Sequence, residues 1–210
     1  MGLFQKKPVT VAVPFYTIGN TRTVLILGLG NPGEEYIGTR HNIGFEVLNY
    51  FAKQNDFPDW TAKKDLKCEL TTANMSENRV ILCKPTTYMN RCGEAAQAVQ
   101  RFFRIYNQQT LAVYDELAIQ FGQLRIRLGG SDAGHNGVKS LIQYLGEDFS
   151  RLRVGIGSEG AENVENSNFV LSKFSQEEQV TVPKILQEAN ALITEYIFSG
   201  SLPHNTRTVI

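Results

Sequence analysis

Hydrophobic and polar positions fall in blocks along this chain, and the blocks switch between a strand period and a helix period. Thr23 to Leu29 (TVLILGL) is an unbroken run of β-branched and leucine residues closing on glycine, the pattern of a strand buried on both faces. A loop of turn residues, GNPGEEYIGTRHN, follows. Ile43, Phe45, Val47, Leu48 and Phe51 then share one helical face, with Asn42 placed as N-cap. Lys67 to Thr72 and Arg79 to Lys84 read as strands around the polar turn NMSEN. Pro85 interrupts the chain. Cys92 to Tyr106 returns to the helical period through Ala95, Ala98, Val99, Phe102 and Phe103.

Thr110 to Tyr114 (TLAVY) reads as a short strand that stops at Asp115. Gln123 to Leu128 (QLRIRL) and Arg151 to Ile156 (RLRVGI) alternate, as half-buried strands do. Between them a glycine-rich loop, GGSDAGHNG, leads into a helix over Val138 to Leu145. Ser175 and Glu178 form an S-x-x-E capping box that opens a helix running past Pro183 to Phe198, ahead of Gly200. Strands alternating with helices predict an α/β fold: a single-domain three-layer α/β/α globule with a mixed, mostly parallel central sheet. Residues 1–21 show no clear period and read as an N-terminal extension of unassigned role before a domain over 22–210.

Composition narrows the classes. A chain of 210 residues fits one domain and buries roughly 70% of its unfolded surface, so it needs no disulfide or metal staple. Lys plus Arg and Asp plus Glu both total 21, which excludes a polycation that coats nucleic acid. That zero hides a division. Residues 79–153 hold 10 Lys/Arg and 6 Asp/Glu, whereas residues 154–210 hold 3 and 7. Three cysteines without a C-x-x-C pair predict reduced thiols in a cytoplasmic compartment. No apolar run reaches the roughly 20 residues of a bilayer span. The apolar stretch after Lys6 and Lys7 is interrupted by Pro14 and lacks a signal-peptide cleavage site. Lys at position 6 likewise does not fit myristoylation.

Gly28-Leu29-Gly30-Asn31-Pro32-Gly33 matches G-x-G-x-x-G behind a strand, so a nucleotide-binding oxidoreductase has to be weighed. That chemistry needs a helix opening at the third glycine, with its amides facing a pyrophosphate. Here Pro32 and a stretch of polar residues precede the helical period, and no second strand ends in the required acid. A tight turn at the carboxyl end of the first strand is the simpler reading.

Ligands favour that edge in open α/β sheets, and Asn31, Tyr36, Arg40 and His41 fall there. Tyr88-Met89-Asn90, Asp115-Glu116 and Gly134-His135-Asn136-Gly137 follow predicted strands in the same way. Taken singly, each Asn reads as an N-cap and each His as a surface or capping residue. Together they suggest a site. No G-x-S-x-G elbow supports a serine nucleophile, and no H-E-x-x-H or C-x-x-C spacing supports zinc. Cys68, Cys83 and Cys92 lie in or beside predicted buried elements, where cysteine usually packs. What remains is a His–Asp pair able to deprotonate water, with Asn side chains to hold an oxyanion and peptide-like groups. An activated carbonyl such as an ester is the natural target.

At these residues the sequence closely resembles the bacterial-type peptidyl-tRNA hydrolase family. The stretches that carry the resemblance are LILGLGNPGEEYIGTRHNIGFEVL, KPTTYMNRCGEAA, VYDEL, RIRLGGSDAGHNGVKSLI and RLRVGIG, with FVLSKFS further on. The resemblance implies a monomeric, cofactor-free and metal-free cytoplasmic enzyme. It would cleave the ester between a peptide and the 3′ end of tRNA, with peptidyl-tRNA as its transient partner and no membrane contact. By motif position, His41 would be the general base, Asp115 its orienting carboxylate, and Asn31 would place the water or the reacting carbonyl. Asn90 and Asn136 would hold the peptide backbone and the transition-state oxygen, with Met89 packed nearby and Tyr36 beside the tRNA 3′ end. His135 would shape the substrate channel, and Arg127 and Arg153 would grip the tRNA 5′ phosphate. The family's D-E-L-D-x-P reads Asp115-Glu116-Leu117-Ala118-Ile119-Gln120 here, without the second acid and the proline. An RNA-binding module that keeps this fold without catalysis is the rival reading, against which the intact His and Asp positions weigh.

Overall fold

The computed structural model describes residues 22–158, 165–201 and 204–209. The predicted N-terminal extension, residues 1–21, lies outside them. Eight strands form one sheet: β1 (Arg22–Gly28), β2 (Thr61–Lys63), β3 (Cys68–Met75), β4 (Asn78–Pro85), β5 (Thr110–Gln120), β6 (Gln123–Leu128), β7 (Ser150–Gly157) and β8 (Thr206–Thr208). Their spatial order is β2-β3-β4-β1-β5-β7-β6-β8. The four central strands, β4-β1-β5-β7, pair in parallel, and both flanks are antiparallel. The expected parallel character thus belongs to the centre of the sheet. The β3–β4 hairpin and the β6–β8 edge supply the mixed part.

β1 alternates its side chains between two cores. Val24 and Ile26 face α1 (Ile43–Gln54) and the long helix α5 (Gln176–Ser199), whose Ile185, Leu192, Ile193 and Ile197 are buried there. Leu25 and Leu27 face α2 (Cys92–Phe103) and α3 (Asn136–Leu145), with Ala95, Val99, Val138 and Leu141 packed against them. A strand buried on both faces explains why its sequence is a continuous apolar run. The capping box at the start of α5 forms as read, with Ser175 Oγ accepting from Glu178 N–H.

Four elements differ from expectation. β5 does not stop at Asp115 but continues to Gln120, with a register shift against β7 between Glu116 and Gln120. Gln120 pairs with Gly157, at the position where the family pattern has a proline, which brings no N–H to a ladder. β2, α4 (Asn166–Leu171) and β8 have no counterpart in the sequence reading; all three are too short to carry a periodic signal. After β1, a 3-10 turn over Glu34–Tyr36 follows Gly33, and α1 opens only at Ile43. The geometry of a dinucleotide-binding turn is therefore not present.

Candidate active site

The carboxyl ends of β1, β4 and β5 converge on one edge, and the loops that leave them carry the polar groups. His41 lies in a 3-10 turn, Arg40–Asn42, that feeds directly into α1. The turn is pressed against the sheet because Gly44 has no side chain. A Cβ there would lie 2.4 Å from the Val113 carbonyl oxygen and 2.6 Å from Leu29 N. This close approach brings His41 over Asp115 in β5, with Nδ1 2.9 Å from Oδ1 and 3.0 Å from Oδ2.

Asp115 has a second imidazole. His135 Nε2 lies 2.9 Å from Asp115 Oδ1. The other ring nitrogen of His135 accepts the backbone N–H groups of Gly137 at 3.1 Å and Val138 at 3.2 Å, which makes His135 the N-cap of α3. An acceptor Nδ1 carries no hydrogen, so the hydrogen sits on Nε2 and is donated to Asp115. Burial alone would raise the Asp115 carboxyl. The charge and hydrogen bonds of the two imidazoles outweigh it and hold the group well below the usual carboxylate range. An ionised Asp115 in turn fixes the hydrogen of His41 on Nδ1 and leaves Nε2 as the basic nitrogen.

The asparagines complete the edge. Asn42 is at the N-cap position of α1, but its side chain does not cap the helix. It clamps the backbone of Asn31 instead: Oδ1 accepts Asn31 N–H at 2.9 Å and Nδ2 donates to Asn31 O at 2.9 Å. Asn31 Oδ1 accepts Met89 N–H at 2.8 Å, an orientation that leaves its Nδ2 as a donor. A cleft of about 490 Å³ is lined by Asn31, His41, Met89, Asn90 and Asn136, with Ser167, Val170 and Leu171 of α4 among its other walls. A smaller neighbouring cleft of about 220 Å³ contains Asp115, Glu116 and His135 as well as His41 and Asn136. Tyr36 does not line either cleft; its ring is edge-on to Tyr88, which lines the larger one, at 6.4 Å between centroids.

Arg127 and Arg153 lie outside this cleft, on β6 and β7. Cross-strand pairing sets Arg125 opposite Arg153 and Arg127 opposite Arg151. All four leave the face opposite Leu124, Ile126, Leu152 and Val154, which are in the core. Arg153 Nη1 is 3.7 Å from Glu116 Oε2, the neighbour of Asp115.

His41, Asp115 and His135 are the one group of three metal-ligating side chains among the described residues. Their hydrogen bonds fit an ion poorly. A metal-bound histidine donates from its free nitrogen, whereas His135 Nδ1 accepts two N–H groups. The three thiols are buried and line neither cleft, and Cys68, lowered by its hydrogen bond with Cys83, is 1% exposed. Burial pushes Cys92 up to about 12, and Cys83, through its hydrogen bond with Cys68 and its burial, lies well above the ordinary thiol value.

The family model described as peptidyl-tRNA hydrolase matches residues 25–209. The chain belongs to the peptidyl-tRNA hydrolase family. It is 48% identical over 163 residues to the peptidyl-tRNA hydrolase of Gloeobacter violaceus, covering 77% of this chain and 81% of that one. The corresponding protein of Geobacillus kaustophilus is 44% identical over 170 residues, 80% of this chain and 89% of its own. A solved peptidyl-tRNA hydrolase structure from Acinetobacter baumannii is similar with a TM-score of 0.79 at 32% identity. The match covers 84% of this chain and 89% of that one.

Within this member of the peptidyl-tRNA hydrolase family, the edge gathers Asn31, His41, Met89, Asn90, Asp115, His135 and Asn136, and it leaves Arg127 and Arg153 on a separate face. One contributor, Asn42, escaped the sequence reading, and a second, His135, has a contact beyond its expected role. Asn42 looked like an ordinary cap, and His135 looked like a channel residue; it lines the cleft and also holds Asp115. Only a residue count between partners, 11 for Asn31–Asn42 and 20 for Asp115–His135, separates them in sequence, and no local pattern encodes such pairs.

Proposed function

We propose that this chain hydrolyses the ester joining a peptide to the 3′ end of tRNA in peptidyl-tRNA, returning free tRNA to translation. The observation that carries this reading is the His41–Asp115 pair at 2.9 Å facing a cleft lined by three asparagines, in a chain of this family.

In this reading His41 Nε2 takes a proton from a water molecule as the water oxygen bonds to the ester carbonyl carbon. Asp115 stabilises the imidazolium that forms. Negative charge develops on the former carbonyl oxygen, where Asn side-chain N–H groups donate to it; Asn31, with its Oδ1 engaged by Met89, presents only its donor. The tetrahedral intermediate then collapses. The bond from carbon to the ribose 3′ oxygen breaks, and His41 returns its proton to that oxygen. Asn90 and Asn136 hold the peptide, and Arg127 and Arg153 take the 5′ phosphate. The protein acts as a monomer in the cytoplasm; no helix among the described residues is long and apolar enough to cross a membrane.

The test is purified N-acetylaminoacyl-tRNA incubated with catalytic amounts of protein. The reading requires many equivalents of tRNA and N-acetyl amino acid released per enzyme. Release no faster than in buffer, with the tRNA still bound, would favour the non-catalytic RNA-binding reading instead.

A further inference from the structure

Arg40 precedes His41 and has no part in the chemistry above, yet it is 6% exposed and more elaborately held than any group of the cleft. Its guanidinium lies over the rings of Phe169 and Phe174, 4.5 and 5.2 Å from their centroids. Nη1 donates to Ser172 Oγ at 2.8 Å and to the Lys173 carbonyl. Nη2 meets Glu178 Oε2 at 2.5 Å, and the same oxygen accepts Ser175 N–H in the capping box of α5. The main chain adds a parallel tie. Arg40 N–H donates to the Ser172 carbonyl at 3.0 Å, and Thr39 and Lys173 form an isolated antiparallel bridge. One residue therefore fastens the catalytic turn to the junction between α4 and α5.

The junction matters because α4 is a wall of the cleft. Ser167 and Val170 line both clefts together with His41. A helix of six residues is too short to hold itself, and the single buried residue of α4 is Phe169, whose ring packs on the Arg40 guanidinium. Stability alone does not explain the choice of residue. A guanidinium placed between two phenyl rings loses hydration, and Arg40 Nε is buried without a hydrogen-bond partner. Apolar side chains in place of both Arg40 and Glu178 would be as stabilising or more so. What the guanidinium adds is direction: a planar fork that fixes the Lys173 carbonyl and the Glu178 carboxylate at set angles.

We propose that Arg40 is a positioning residue for ester hydrolysis. It sets the α4 wall relative to His41 and so holds the bound ester at attacking distance from the activated water. The proposal rests on the hydrolase reading above. Small displacements of such walls are costly, since about 1 Å can lower turnover by about 100-fold.

The experiment compares the parent, Arg40→Lys and Arg40→Met on N-acetylaminoacyl-tRNA, measuring kcat, KM and the thermal midpoint of each. It also includes Val170→Ala alone and combined with Arg40→Lys. Lysine keeps the charge and the Glu178 partner but not the fork. We expect kcat to fall roughly tenfold or more in Arg40→Lys with KM changed much less. Arg40→Met should lose as much activity or more, with a lower midpoint because Glu178 is left without its partner, whereas the midpoint of Arg40→Lys should stay nearer the parent's. In the Val170→Ala background the Arg40→Lys change should cost clearly less, because both act through one wall. Arg40→Lys turning over at the parental kcat would overturn the proposal, whether or not Arg40→Met folds. Full additivity with Val170→Ala would overturn it too, by showing that Arg40 does not act through α4. A parent with no turnover would instead overturn the hydrolase reading, and the proposal with it.

Discussion

At the carboxyl edge of β1 and β5, polar groups satisfy one another before any substrate arrives. Asn42 holds Asn31, Asn31 holds Met89, and Asp115 takes hydrogens from both His41 and His135. On the face of β6 and β7 away from Leu124 and Ile126 like charges are set together, with Arg125 opposite Arg153 and Arg127 opposite Arg151. Like charges directly opposite each other destabilise a sheet. Arg151 escapes by donating to the carbonyls of Gly130 and Ser131 and stacking on Phe149. Arg153 leans on Glu116, and Arg125 reaches the Thr206 hydroxyl. Arg127 has neither an ion pair nor a hydrogen bond among the described residues. The first region is satisfied within itself, and in the second Arg127 alone of the four is left without a polar partner among the described residues. Truncation in the first should cut turnover, whereas truncation in the second should change affinity and salt dependence.

Asp115→Asn tests the first region hardest. An amide carries no negative charge to stabilise the imidazolium that forms on His41, so turnover should fall by about 100-fold or more. The same variant tests the charge. A carboxyl whose folded value lies below the unfolded value of about 3.9 stabilises the fold above that pH, and the contribution drains away as pH falls further. Between about pH 5 and pH 2 the urea midpoint of the parent should therefore drop more steeply than that of Asp115→Asn. Equal slopes would mean that Asp115 is not held ionised by its two partners.

Asn42→Ala should act less strongly and in a different way. It frees the Asn31 backbone, so kcat should fall roughly tenfold with little change in tRNA affinity. A parental kcat would show that Asn31 does not depend on its clamp. Arg127→Ala belongs to the second region. Its affinity for tRNA should weaken severalfold and the log–log salt slope should shrink by about one, with kcat kept. A loss of kcat at saturating substrate would erase the division between the two regions. The smallest effect is expected from iodoacetamide on the native protein. All three thiols are buried; Cys83 and Cys92 are also held above the ordinary thiol value, and Cys68, lowered by its hydrogen bond with Cys83, is 1% exposed, so the reagent should not reach them and activity should persist.

How much of this was legible in the sequence follows from how local each signal is. β1, α1, α2 and the α5 capping box are written in periods and caps within a dozen residues, and they appear where expected. The strand carrying Asp115 was cut short because a charge follows an apolar run there. In the fold that charge is buried against two imidazoles, and the strand goes on. Asn42 carried a correct position and a wrong partner, because a local cap lost to Asn31 across the loop. The division of the arginines needed the register of β6 on β7, and no count of charges along the chain supplies it.

The central claim is that His41, oriented by Asp115, activates the water that cleaves the ester. Its most direct test is the multiple-turnover hydrolysis rate of N-acetylaminoacyl-tRNA by His41→Ala beside the parent, with the circular dichroism and thermal midpoint of both proteins recorded. The account predicts a drop of about 100-fold or more in kcat with the fold retained. A folded His41→Ala protein working at the parental rate would contradict it.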